Sequence, residues 1–442
     1  MSGDKTPVEV YTNNSEAYND EIARLKARKT AIGWLRLLVV VAAIVTIKLS
    51  WYTALWIIAG EAVCFIAAFL YVVSLDTDVK QLLLNAERLL QINKDELAVL
   101  NFNFQDREEG MQFAQTVHNY ANDLDIFGPS SIYQYINRCT SEQGKQALAE
   151  KLLEPAGKET IVLTQEAVKE LSGKTPWRQQ MQAFGMAQPL TKNTEKKIND
   201  WFKKPRVFGG KKWCFVARIF PVLSLSALAL YVFDVIPAAV FWLLVFCFLV
   251  IAFSISKKIH ATWLLLSKIV EQVDTVSNQL AFIEEEAFKA ALINKIQNSL
   301  QNAGAEKASV EIKNLKAILN RFDVRLNTFA FLLLNTFLLW DLWQLLYLDE
   351  WKEKNAGAVA NWFSAVAAME TLSSLATLAF NQPQWCFPAI SDKHFTFEAN
   401  ELGHPLIPPA KRVNNSFALK GVGKVSIVTG SNMGGKSTFL RS

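Results

Sequence analysis

Four long apolar runs constrain this 442-residue chain more than any other feature. Trp34–Ile47 is apolar apart from Arg36, and after Lys48-Leu49-Ser50 a second run covers Trp51–Leu75 with Glu61 as its one charge. A third run, Phe215–Phe233, is interrupted near its start by Arg218, and after Asp234 a fourth, Val235–Ile255, carries no charge. These lengths are close to the ~20 residues that cross the hydrocarbon core of a bilayer. A helix apolar on every side, like the fourth, belongs in a membrane or deep inside a very large soluble core. A composition 51% hydrophobic and 12% aromatic favours the membrane. The runs read as two helical hairpins with short polar tips at Lys48–Ser50 and near Asp234. No small-residue cleavage site precedes the second run, so the first hairpin is not read as a removed signal.

Basic residues orient the hairpins. Arg24, Lys26, Arg28 and Lys29 precede the first run, Lys203, Lys204, Arg206, Lys211 and Lys212 precede the third, and Lys257 and Lys258 follow the fourth. Such clusters mark cytoplasmic ends, so the expectation is a protein integral to the cytoplasmic membrane with its soluble domains facing the cytoplasm. A fifth run, Thr328–Leu348, contains Asn335, Asp341 and Gln344 and reads as a core helix. A fifth crossing would also put the chain's C-terminal part on the side without nucleotide. Membrane lipid is the partner favoured for the basic run before the third span, although DNA phosphates would suit the same charges. Glu61 is expected to be protonated, or paired with Arg36 or another hairpin.

The C-terminal VSIVTGSNMGGKSTFLRS carries a different chemistry. Val425–Val428 is a β-branched run expected as a buried strand, and Gly430, Gly435, Lys436 and Ser437 complete Gly-x-x-x-x-Gly-Lys-Ser, a P-loop (Walker A) pattern. Glycines let consecutive backbone N–H groups close on phosphates, and the next helix adds its positive end. Lys436 is then the catalytic cation at the β/γ-phosphates, and Ser437 the ligand for Mg²⁺. Gly430, Ser431, Asn432, Met433, Gly434, Gly435, Lys436, Ser437 and Thr438 form the expected ATP cradle. The sequence supplies no Walker B carboxylate after it. The expectation is a longer protein that hydrolyses ATP, of which these 442 residues alone do not.

The five cysteines, Cys64, Cys139, Cys214, Cys247 and Cys386, are scattered without a CxxC and read as reduced packing residues. The four histidines, His118, His260, His394 and His404, have no metal-ligand spacing. The +5 formal charge neither requires nor excludes nucleic acid.

Between the hairpins, VKQLLLNAERLLQINKDELAVL repeats apolar residues at helical spacing. In Leu124–Pro155 a strand or turn ends at Phe127-Gly128, a helix follows, Thr140 or Ser141 caps the next helix with Gly144 near its start, and Pro155 stops it. This order resembles the core (lever) domain of the MutS family, with Ser141 where that family has threonine. The resemblance continues at Gln165–Leu171 with Arg178, at Met369–Phe380 and at His404–Ile407. It is most specific at Thr429–Thr438, whose Asn-Met-Gly-Gly-Lys-Ser-Thr is distinctive of the MutS-type P-loop.

The chain therefore resembles a membrane-anchored branch of that family, cut just after its Walker A motif. The resemblance implies a mixed, mainly α-helical fold: four transmembrane helices and a helical lever, then the start of an α/β P-loop ATPase domain. The expected layout is a cytoplasmic N-terminal arm at 1–30, hairpin 1 at 31–75, the first part of the lever at 76–212 and hairpin 2 at 213–256. The second part of the lever follows at 257–385 and an incomplete ATPase domain at 386–442. It also implies ATP and Mg²⁺ as cofactors, a homodimer through the ATPase domains, and nucleotide state coupled to DNA binding. Aligning VNNSFAL puts Arg412 where the family stacks an aromatic on adenine. Arg412 would stack there or stand as a solvated charge.

Mismatch selectivity is not expected. The family's N-terminal Phe-x-Glu wedge is missing, the lone Phe282-Ile283-Glu284 lies in a helical pattern, and Ser256–Asp349 has room for little beyond a helical hairpin. Ile283–Phe288 reads as a solvated helix face. Two rivals remain, an ATP-powered transporter and a nucleotide-controlled anchor that does not touch DNA.

Overall fold

A computed structural model describes residues 5–52, 54–301, 306–392, 396–429 and 435–442. The chain is mainly helical. In order, the helices are α1 (Pro7–Leu49), α2 (Leu55–Leu100), α3 (Ile132–Ile136), α4 (Glu142–Leu153), α5 (Lys158–Ser172), α6 (Thr175–Gly185), α7 (Lys192–Lys203) and α8 (Lys211–Val232). They continue as α9 (Ala238–Leu266), α10 (Val270–Glu285), α11 (Ala291–Ser299), α12 (Ala308–Phe322), α13 (Thr328–Leu338), α14 (Trp340–Asn355) and α15 (Val359–Asn381). Strands β1 (Thr396–Leu402) and β2 (Asn415–Lys420) and the short α16 (Lys436–Leu440) complete the described elements. The fold divides into two compact units. One comprises Met1–Ile136, Thr175–Ala183 and Thr377–Ser442, the other Asn137–Lys174 and Phe184–Ala376.

In the first unit the described part of the arm expected at 1–30, from Lys5 onward, is continuous with hairpin 1. It is the beginning of α1, started by a capping box in which Thr6 and Glu9 satisfy each other's backbone N–H groups, with Pro7 in the first turn. α1 pairs along α2 through Ile22, Leu83 and Ala86, then through Ile32, Val72 and Val79. Beyond these clusters both helices turn exposed and apolar, at Trp34, Leu38 and Ile44 on one and Trp56, Val63 and Tyr71 on the other. They meet at a tip between Leu49 and Leu55. Glu61 accepts from the Ser50 hydroxyl there at 2.8 Å, while Arg36 lies 3.6 Å from Asp76 instead of reaching Glu61.

The segment expected as a strand or turn at Leu124–Gly128 is a turn. The Gly128 N–H donates to the Glu109 carbonyl at 2.9 Å, and the Gln134 amide donates to the carbonyls of Gln105 and Arg107 at 2.7 and 2.6 Å. Gly110 is left-handed (φ 70°), and a side chain there would run into the Tyr133 and Phe127 rings.

In the second unit Ser141 caps α4, accepting from the Gly144 N–H at 2.9 Å, as the spacing predicts. The Ser141 hydroxyl and N–H donate in turn to Glu370 on α15, at 2.5 and 3.2 Å, and Thr140 and Gln279 also donate to that carboxylate. Two separated motifs, the segment around Gly144 and Met369–Phe380, thus meet at one buried acid. Gly144 is required because a Cβ would strike Glu370.

α8 and α9 form the second apolar hairpin, and five described helices are long and apolar enough to cross a membrane. One of the five, α15, is largely packed inside the protein. The single core helix expected at Thr328–Leu348 is instead two, α13 and α14, bent by 80° at Leu339, which takes a left-handed conformation (φ 50°). The acidic run at Ile283–Phe288 is also more than a solvated face: Glu284 accepts from Ser309, and Glu286 pairs with Lys174. Phe282 packs edge-on against Phe184, with ring centroids 5.5 Å apart.

Candidate nucleotide site

The C-terminal part of the first unit carries the P-loop sequence. β1 and β2 pair antiparallel, Thr396 opposite Lys420 and Ala399 opposite Phe417, with an irregularity between Ala399 and Leu402. In the connection, Gly403 lies against Arg412 and Asn414, so close that a Cβ there would come within 2.6 Å of the Arg412 Cδ. The Arg412 N–H donates to the Pro408 carbonyl at 3.0 Å, and its guanidinium sits over the Trp385 ring, 5.9 Å from the centroid. Half-buried against an indole, Arg412 is not a fully solvated charge. In the same connection the His404 Nδ1 accepts from the Leu406 N–H at 3.2 Å. Burial lowers the His404 pKa, and Arg441 lowers it further against the opposing pull of Asp125.

Val425–Val428 does not form the expected buried strand: Val425 is 84% and Ile427 83% exposed, and neither belongs to a sheet. β-Branched residues favour a strand only where neighbours cover it, and among the described residues no strand lies beside this run. Gly430, Ser431, Asn432, Met433 and Gly434 lie outside the described residues. Gly435 is described, left-handed (φ 72°) with open space where a Cβ would be, and it starts α16. Lys436 is the first residue of α16, and the Ser437 and Thr438 side chains are exposed. Phe439 packs edge-on against Phe417 of β2, with centroids 5.8 Å apart. Arg441 pairs with Asp125 and donates to the Asp123 carbonyl at 2.9 Å. α16 is thereby anchored by its C-terminal end, to the hairpin and to the turn before α3.

Among the described residues nothing covers Gly435 at the start of α16. A left-handed glycine without steric cover lets backbone approach phosphate, and a hydroxyl follows the lysine where a Mg²⁺ ligand is needed. Among the described residues no group of three or more His, Cys, Asp or Glu side chains could hold a metal ion. The Arg441 contacts with Asp123 and Asp125 had no sequence signal, because partners some 318 residues apart leave no local pattern. The β1–β2 hairpin had only a weak one, since TFEANEL does not alternate cleanly. Of the cysteines, Cys139 alone is buried, and burial raises its thiol pKa; the other four are exposed.

The chain is thus a mainly helical protein with helices apolar and long enough to cross a bilayer, ending in a P-loop sequence beside a small β-hairpin. No protein-family model matches it, and no solved structure does. Among curated proteins, the DNA mismatch repair protein MutS of Granulibacter bethesdensis is 35% identical over 96 residues, 20% of this chain and 10% of that protein. The DNA mismatch repair protein MutS of Dinoroseobacter shibae is 34% identical over 84 residues, 17% of this chain and 9% of that protein. The chain is therefore similar to MutS over about a fifth of its length, and the shared stretch spans about a tenth of those relatives.

Proposed function

We propose that this chain acts as a membrane-anchored, MutS-like ATP-binding protein that couples nucleotide state to contact with DNA. One observation carries the reading: the MutS-type loop Thr429–Thr438 leads through left-handed, uncovered Gly435 into α16, in a chain with partial similarity to MutS. Backbone N–H groups from Gly430 to Gly435 would hold the phosphates, Lys436 would neutralise the β/γ-phosphate charge, and Ser437 would ligate Mg²⁺. The ion would draw charge from the phosphate oxygens. Arg412, already placed over the Trp385 ring, is the candidate to cover the adenine ring.

The apolar hairpins α1–α2 and α8–α9 would anchor the protein in the cytoplasmic membrane, with the arm, the lever and the P-loop on the cytoplasmic side. ATP hydrolysis, dimerisation through the ATPase domains and a clamp-like movement of the lever on DNA belong to this proposal, as the resemblance implies. The exposed Val425–Val428 run would be covered in an assembled ATPase domain, where parallel strands are buried on both faces.

Nucleotide binding by the full chain in lipid nanodiscs tests the reading. A fluorescent ATP analogue with Mg²⁺ should bind weakly and competitively with ATP, and Lys436→Ala should weaken binding about tenfold or more, the loss expected for one charge-assisted phosphate contact. Equal affinity in the two proteins would remove the P-loop from the account.

A further inference from the structure

We infer that α13 is a re-entrant segment that dips into the bilayer beside α8 and α9 without crossing it, with lipid acyl chains as the partner of its outer face. The inference rests on the membrane reading of the α8–α9 hairpin and adds a fifth contact with lipid to it.

α13 is polar inside and apolar outside. Leu326, just before it, is 69% exposed, and Phe329, Leu332 and Leu333 are 87%, 51% and 62% exposed, a three- and four-residue spacing that makes one continuous stripe. Past the exposed Asn327 and Thr328 at its start, the polar residues of α13 point the other way: Asn335 and Thr336 are buried, as are Asp341 and Gln344 of α14. A helix facing water has the opposite arrangement. The inner face packs on α8 and α9, whose own outer faces expose Val222, Leu223, Trp242, Leu243 and Phe246. The stripe on α13 therefore extends an apolar surface already assigned to lipid.

Geometry decides against a crossing. Eleven helical residues reach about 16 Å, roughly half of a ~30 Å hydrocarbon core. The two flanks of α13 also touch each other. Trp340 Nε1 donates to the Arg321 carbonyl at 2.9 Å, and Arg325 Nε lies 3.6 Å from the Asp341 carboxylate. The chain enters and leaves on one side.

A helix broken in lipid must satisfy the backbone groups freed at the break, since no water reaches them. Here the protein does so. The Ser224 hydroxyl of α8 donates to the Phe337 carbonyl at 2.5 Å, and the Asp341 N–H donates to Asn335 Oδ1 at 2.9 Å. Ser256 of α9 donates to the Asp341 carboxylate at 2.6 Å and accepts from Arg325 at 3.1 Å, closing a buried polar knot under the bend. An ordinary surface helix that ends in water needs none of this.

The test uses the full chain in nanodiscs, with Cys64, Cys214, Cys247 and Cys386 replaced by serine and single bimane labels at Phe329→Cys, Leu333→Cys, Trp242→Cys on α9 or Lys295→Cys on α11. Spin-labelled lipid should quench the labels at Phe329 and Leu333 as strongly as that at Trp242 and leave that at Lys295 bright. Labels at Phe329 and Leu333 that respond to aqueous iodide and not to lipid, with Trp242 still quenched by lipid, would overturn the inference and leave the anchoring hairpin intact. A Trp242 label blind to lipid would overturn both. Cysteines at the exposed flanking positions, Asn320→Cys and Glu350→Cys, should label from the same side of sealed vesicles, and labelling from opposite sides would make α13 part of a crossing. These flank variants leave the stripe unaltered, so they still decide between a dip and a crossing if stripe variants misfold.

Discussion

Replacing Glu370 with alanine should loosen the start of α4. The Glu370 side chain is held inside the second unit, 4% exposed, and accepts from Thr140, from the hydroxyl and N–H of Ser141, and from Gln279 at the longer distance of 3.3 Å. Three good bonds to a charged group are worth ~1.5–3 kcal/mol each, offset by the cost of keeping the ion out of water. Leaving buried donors without a partner costs ~1–3 kcal/mol each, so a total loss of ~3–4 kcal/mol is expected. At ~1.4 kcal/mol per power of ten, hydrogen exchange of the Gly144 and Lys145 amides in the intact chain should speed up by about two to three powers of ten. Glu370→Gln keeps the shape and one accepting oxygen but turns a donor toward the hydroxyls, so about half that loss is expected. Gly144→Ala should be costly in the native background and cheaper beside Glu370→Ala. Part of its cost should persist, because contacts of 3.0 Å to the Ser141 hydroxyl and 3.2 Å to the residue-370 Cβ remain. Unchanged exchange at the α4 N-terminus in Glu370→Ala would refute the idea that this acid holds the two motifs together.

Two further outcomes are expected. The His404 pKa is lowered in the folded protein, so between that value and the unfolded value of ~6.5 the folded state binds fewer protons; the stabilisation is complete above ~6.5 and is lost as pH falls through the folded pKa. A protonated Nδ1 cannot accept from Leu406, so protection of the Leu406 amide, corrected for intrinsic exchange, should fall on acidification. His404→Gln should remove that dependence, and a pH-independent Leu406 would contradict the assignment. If the reconstituted chain contacts DNA, that binding should weaken steeply between low and physiological salt and should not favour a mismatch over matched duplex, because phosphate contacts alone are expected. A preference of about tenfold for the mismatch in a gel-shift titration, ~1.4 kcal/mol, would reveal a reading element not identified in this chain.

The apolar runs were legible because a bilayer-length stretch without a polar face has few other uses, and the helices at α1–α2 and α8–α9 follow them. The Ser141 cap was legible from Ser-x-x-Gly and the stop at Pro155. The reading of 1–30 as a polar arm overlooked the capping box Thr6-Pro7-Val8-Glu9, which starts α1. The break between α13 and α14 had no such mark. A leucine takes the left-handed turn where glycine would have announced it, and the buried Asn335 and Asp341 that support it are informative only once their partners on α8 and α9 are known. Val425–Val428 failed as a strand for the complementary reason, since local preference does not make a sheet without neighbours. Of the P-loop residues, Gly435, Lys436, Ser437 and Thr438 fall where the motif puts them relative to a helix start, while Arg412 acquired in Trp385 a partner that its sequence neighbourhood did not announce.

α1 runs without a joint from the buried Tyr11, whose hydroxyl donates to Asn381 at the end of α15, to the tip at Ser50. Forty-three residues in one helix make a rod of about 65 Å. α2, forty-six residues long and equally unbroken, lies beside it. A rod without a hinge cannot absorb a rotation locally, so a tilt of about ten degrees at Asn381 would arrive at the far tip as a sideways travel of about 10 Å. A small movement where α15 hands over to the P-loop segment becomes a large one at the tip, and a sideways load on the tip would push back on Asn381 through the same leverage.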